Sequence, residues 1–176
     1  MDFPGFGQTI LSHGVPSARY LEAVDEHLAS FEPVELREQV RRSWERELEA
    51  QTQEDEAELL ADQVPFHFAD PRDPRIEEYH RRTAGARFAP AVGRSFAARN
   101  YGEIELEDRM GEIRHPVLVL TGRHERTCVP EAAEAMADAI PGAALVVFEH
   151  SAHMSFVEEN EAYVTAVRDF LDQHTT

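Results

Sequence analysis

Two loops in the last third of the chain hold the residue types used in nucleophilic catalysis. One follows the apolar run Pro116-Val117-Leu118-Val119-Leu120 and contains Glu125, with Glu131 just beyond it. The other follows Ala144-Leu145-Val146-Val147-Phe148 and contains His150 and His153. A histidine can take a proton from a hydroxyl or thiol and pass it to a leaving group, and a carboxylate against its second nitrogen fixes the tautomer. The third partner would be a serine on a Gly-x-Ser-x-Gly turn between strand and helix. That motif occurs nowhere in the sequence.

The elements that must position these residues can be read from periodicity. The runs 117–120 and 144–148 are apolar without alternation, as in parallel strands covered on both faces. A helix signal over 131–140 lies between them and ends at Pro141-Gly142. Another runs from about Glu159 to Leu171, with Tyr163, Val167, Phe170 and Leu171 on one side. Strand alternating with helix predicts a parallel sheet with packed helices. Earlier in the chain, Gln8 to Ser12 reads as a short strand, and Ser17 as the N-cap of a helix over Ala18 to Ala29. Pro33 opens a helical stretch from Val34 to Ala61, or two helices broken near Gln51-Thr52-Gln53. Leu36, Val40, Trp44 and Leu48 give it one apolar stripe, and its alternating acids and bases form a solvated face. Pro65, Pro71 and Pro74 mark a loop, followed by a helix over Arg75 to Thr83 and a helix-prone stretch over Arg87 to Asn100. Asp108 to Ile113 reads as a short amphipathic lead into the strand at Val117.

Composition narrows the partners. With 34 acidic against 17 basic residues the formal net charge is −17, which disfavours a nucleic-acid backbone and an anionic membrane. No apolar run approaches the roughly 20 residues of a membrane span. The single cysteine, Cys128, permits no intramolecular disulfide and no cysteine metal cluster. The start, Met1 to Gly7, lacks the basic-then-apolar pattern of a signal peptide, which leads to the expectation of a cytoplasmic protein. The scattered histidines His13, His67, His80, His115, His124 and His150 show no metal-ligand spacing, and there is no Gly-rich phosphate loop. No metal or organic cofactor is expected.

The segment Ile113 to Leu171 resembles the C-terminal part of the α/β-hydrolase superfamily, most strongly its proline iminopeptidase-like members. The resemblance rests on Pro116 to Gly122, Val129-Pro130, the helix with Ala132, Ala135 and Met136, Ile140-Pro141-Gly142-Ala143, His150-Ser151-Ala152-His153 and Phe156 to Asn160. It covers about a third of the chain, and its motifs fall in the family's order. It implies that Glu125 stands where the family has its triad acid, usually Asp, and that His153, just before a small helix, is the base. Glu is one methylene longer and can still hold the imidazole. The helical stretch before the match looks like the family's lid. The resemblance implies hydrolysis of an ester or amide through an acyl-enzyme, with removal of an N-terminal proline as the specific candidate.

Substitutes for the missing nucleophile are poor. Gly93-Arg94-Ser95-Phe96-Ala97 imitates the nucleophile turn, but Pro90 spoils the strand that should precede it, and only 30 residues separate Ser95 from Glu125. Cys128 sits in the acid loop as a bystander thiol. Ser12-His13-Gly14-Val15-Pro16 resembles the family's oxyanion loop, but no nucleophile turn follows it.

The sequence therefore predicts a partial α/β-hydrolase fold. A strand and entry loop occupy 1–16, a helical lid 17–105, and the C-terminal core 106–176. It carries acid and base without a nucleophile and is inactive alone. The alternative is a non-catalytic ligand-binding or protein-interaction module. The expected partners are a small-molecule or peptide substrate and either a separate N-terminal half or a second copy. A partner is expected because the strand at Val117 would otherwise leave an edge unpaired.

Overall fold

The computed structural model describes residues 7–99 and 103–174. Met1 to Phe6 and Asn100, which the sequence reading included, lie outside them. Strand β1 (Thr9–Ser12) leads through helices α1 (Val24–Ala29), α2 (Val34–Arg46), α3 (Gln53–Gln63), α4 (Arg75–Thr83), α5 (Pro90–Ala97) and α6 (Glu107–Met110) to β2 (Val117–Gly122). Helix α7 (Pro130–Ala139), β3 (Ala144–Phe148), α8 (Ser155–Glu158) and α9 (Asn160–His174) complete the chain. The three strands form one parallel sheet in the order β1-β2-β3.

The unalternated pattern of β2 has a direct structural cause. Val117 and Val119 pack on one side with Ala133, Met136 and Ile140 of α7. Leu118 and Leu120 pack on the other with Phe148 and with Phe170, Val167 and Leu171 of α9. Every residue of β2 is buried. β2 is thus the middle strand, and the expectation of an open edge at Val117 is corrected. Among the described residues the open edges belong to β1 and β3. In β1, the Thr9 and His13 amides donate to Pro116 and Leu120 of the β2 side, both at 3.0 Å. Alternation then turns the main-chain polar groups of Ile10 and Ser12 toward the unpaired edge.

The helical stretch between β1 and β2 has its own core. Leu28, Phe31, Val40 and Phe66 close it, with Val24, Leu36 and Trp44 around them. Phe31 and Trp44 both meet the Phe66 ring edge-on, at centroid distances of 5.0 and 5.3 Å. The expected break near residue 52 is a capping box: Thr52 accepts from the Asp55 amide, and Asp55 accepts from the Thr52 amide. Two sequence expectations fail locally. Leu48 is 57% exposed, because α2 ends at Arg46 and tightens into a 3₁₀ turn that swings the residue off the stripe. Ser17 caps only a 3₁₀ turn, Ala18–Leu21, and α1 starts later, at Val24. Pro33 is the N-cap of α2, which starts at Val34 as expected.

Phe66 is fully buried and shared by two aromatic contacts. Phe66→Ala should cost about 3–5 kcal/mol of unfolding free energy in a denaturant titration.

Candidate functional site

The acid and base loops meet above the carboxyl ends of β2 and β3. Their meeting requires Gly122, the last residue of β2. A β-carbon there would lie 2.2 Å from the Ala152 carbonyl oxygen and 2.4 Å from that of Ser151. Glycine lets the 151–153 backbone cross the strand end in contact. The crossing is tied by Arg123 N–H donating to Phe148 O at 2.8 Å and His124 N–H to Ser151 O at 3.0 Å.

Across this junction Glu125 Oε2 accepts from His153 Nδ1 at 2.8 Å. The other oxygen, Oε1, accepts from the amides of Arg126 and Thr127, each at 3.0 Å, and from the Thr127 hydroxyl at 2.8 Å. A carboxylate only 5% exposed thus has four donors. The extra methylene of Glu is accommodated within the loop. Burial pushes Glu125 upward, but the hydrogen bond and charge of His153, with the Thr127 donors, override it and hold the group near about 2. Burial likewise works against a charged His153. Hydrogen bonds donated by His153 to Cys128 and Glu125, with the charge of Glu125, override that and raise it to about 10. The pair is therefore an imidazolium against a carboxylate at neutral pH.

Sequence reasoning missed two other rings. His13 lies 5.1 Å from His153 between centroids, and His67 lies 4.9 Å from it. Burial first, then the positive charge of His153, lower both to about 4. Of the three imidazoles, His153 alone is favoured in the charged form. His13 has φ of 51°, an unusual conformation for a non-glycine residue, immediately after β1. Hydrogen bonds from its amide to Leu120 O and from its ring to Ser12 and Ser155 hold it there. The sequence signals were its place at the end of a strand and the likeness of Ser12-His13-Gly14-Val15-Pro16 to an oxyanion loop. His67 offered none beyond two flanking phenylalanines, and its Nδ1 is buried without a partner among the described residues.

The segment 66–69 is fastened to both loops. Arg126, next to Glu125, donates to the carbonyls of Phe66, Phe68 and Ala69 at 3.0, 2.7 and 3.2 Å. Its guanidinium lies over the Phe31 and Phe66 rings, 5.1 and 5.8 Å from their centroids. Glu158 accepts from the Ala69 amide at 2.8 Å and the Ala152 amide at 2.9 Å. Val64, Phe68 and Met154 pack together at the same seam.

Of the remaining candidates only Cys128 reaches the pair. Ser95 is an exposed residue inside helix α5, so no strand-to-helix turn presents it. His150 is exposed, and its amide binds Glu159. Glu131 is exposed on the first turn of α7. Cys128 is half-buried in the acid loop and interacts with His153. Among the described residues no group of three His, Cys, Asp or Glu side chains could hold a metal ion, and no helix is long and apolar enough to cross a membrane.

A parallel sheet with helices on both faces, and a carboxylate and imidazole joined over adjacent strand ends, is the architecture of the α/β-hydrolases. The TAP-like protein family model matches residues 97–176. An α/β-fold hydrolase of Bacillus anthracis str. Sterne superposes with a TM-score of 0.69 at 19% identity, covering 94% of this chain and 58% of that one. The chain has part of the α/β-hydrolase fold. By sequence, a stretch of it is similar to proline iminopeptidases. It is 37% identical over 75 residues to that of Lactobacillus crispatus (strain ST1), and 43% identical over 68 residues to that of Clostridioides difficile (strain 630). These matches cover 43% and 39% of this chain but only 25% and 23% of the two enzymes. The chain thus carries part of the fold.

Two predictions follow from the geometry. Gly122→Ala sets a β-carbon against two backbone carbonyls that no rotamer change can move, and should lower stability by about 3 kcal/mol in thermal or denaturant unfolding. Stability should also peak near pH 6.5. The raised pKa of His153 makes its contribution complete below about 6.5 and lost as pH climbs toward 10. The depressed values of His13 and His67 make stability fall as pH drops from 6.5 toward 4. Glu125 adds a further loss below its ordinary 4.5. Denaturant titrations from pH 3 to 10 measure this curve, and His153→Ala should remove its alkaline limb.

Proposed function

We propose that the chain is the acid-and-base part of a serine hydrolase that cleaves an ester or amide, with an N-terminal proline residue as the preferred acyl unit. The observation that carries this reading is the 2.8 Å bond between Glu125 and His153 over neighbouring strand ends. Glu125 occupies Nδ1 and so leaves Nε2 for proton transfer. In the completed reaction His153 takes the proton of an attacking hydroxyl, then protonates the leaving amine or alcohol. The nucleophile and the oxyanion donors come from a separate N-terminal part. The helical stretch from 17 to 105 serves as the lid over the substrate.

An open sheet edge supports an incomplete catalyst. The outward main-chain groups of Ile10 and Ser12, and the buried Oε1 of neighbouring Gln8, which has no partner among the described residues, leave β1 ready to receive a further parallel strand.

Co-expression with the nucleophile-bearing N-terminal part of a proline iminopeptidase tests the reading. Turnover of L-proline p-nitroanilide should appear in the complex and be absent from either part. Glu125→Gln should cut kcat by about 10⁴-fold, the scale of losing the acid that fixes the tautomer. A folded, stoichiometric complex without turnover would count against the proposal.

A further inference from the structure

A serine does stand in hydrogen-bonded reach of an imidazole in this chain, but the imidazole is His13. Ser12 Oγ lies 2.8 Å from His13 Nδ1, and His13 Nε2 lies 2.9 Å from Ser155 Oγ. Ser155 Oγ also lies 3.0 Å from Ala152 O, to which it donates, and 2.8 Å from Ser151 Oγ. At the other end, the Tyr163 hydroxyl donates to Ser12 Oγ at 3.0 Å. Tyr163 is itself stacked on Phe148, with centroids 5.5 Å apart.

Counting hydrogens fixes the direction of this chain of bonds. Ser155 spends its one hydrogen on Ala152 O and must accept from its other neighbours. His13 therefore carries its proton on Nε2 and offers a lone pair at Nδ1. Ser12 accepts from Tyr163 and gives its own hydrogen to that lone pair. The result is a hydroxyl, a base and a second hydroxyl that orients the base, the arrangement that activates serine nucleophiles. Ser12 is exposed, His13 and Ser155 are buried. Ser12 ends β1 at its carboxyl terminus, the side on which open parallel sheets bind ligands.

We propose that Ser12 is a nucleophile in its own right, activated by His13, and that it takes up an acyl group from small activated esters. Ser12 Oγ attacks the ester carbonyl and forms a new C–O bond while its proton passes to His13 Nδ1. The bond to the leaving alkoxide breaks, and His13 returns that proton to it. The products are an O-acyl serine and a free alcohol. His13 stays neutral well below neutral pH, so its lone pair is available there. The reaction requires neither Glu125 nor any other part of a hydrolase fold.

The test is acetylation of the full chain by p-nitrophenyl acetate, read by p-nitrophenolate release and by peptide mass mapping. The sequence contains no lysine, so the commonest competing acceptor is absent. One acetyl group should appear on Ser12 and be lost in Ser12→Ala. His13→Asn, which tolerates the positive φ, should slow acetylation about 100-fold, and Ser95→Ala should leave it unchanged. The rate in the unsubstituted chain should fall as pH drops through about 4, a readout that needs no variant. Acetylation confined to Cys128 or to another hydroxyl, or none at all, would overturn the proposal.

Discussion

The site depends on one close passage of backbone. At the end of β2 the main chain must run against the carbonyls of Ser151 and Ala152, and only the missing side chain of Gly122 allows it. That contact sets how far the acid loop stands from the base loop. The reach of Glu125, one methylene beyond an aspartate, is then enough to meet His153, and four donors hold the carboxylate in a single orientation. Burial alone would neutralise both groups. Their contact inside the protein keeps both charged, which ties the ionisation of the site to the integrity of the loops.

The same charge orders the surrounding histidines. Burial, and then the positive charge favoured at His153, discourage protonation of His13 and His67, whose rings lie within about 5 Å of it. The fold thereby keeps one cation and two neutral, hydrogen-bonding rings in one small volume. A neutral imidazole can both donate and accept, and His13 does so between Ser12 and Ser155.

What the sequence revealed, and what it concealed, follows from how far apart the partners lie. The run Val117 to Leu120 announced a doubly covered strand because its burial is a local property. Thr52 and Asp55 announced a helix start because a capping box spans only four residues. Glu125 and His153 could be paired on paper because each follows its strand by a short loop. The edge of the sheet could not be read, since β1 and β2 pair across more than 100 residues. The approach of His13 and His67 to His153 is invisible for the same reason. Leu48 misled because periodicity cannot show where a helix tightens. Gly93 to Ala97 did not mislead, since Pro90 ruled out the preceding strand and instead opens α5.

Arg126 ties three separate parts of the molecule together: the acid loop that bears it, the carbonyls of Phe66, Phe68 and Ala69, and the aromatic cluster at Phe31 and Phe66. Such groups do not loosen one at a time. Excursions that expose the amides of 66–69 to solvent must also release the loop beside Glu125, so both should exchange hydrogen for deuterium as one cooperative unit. Breathing of the helical cover and dismantling of the carboxylate cradle are then the same event.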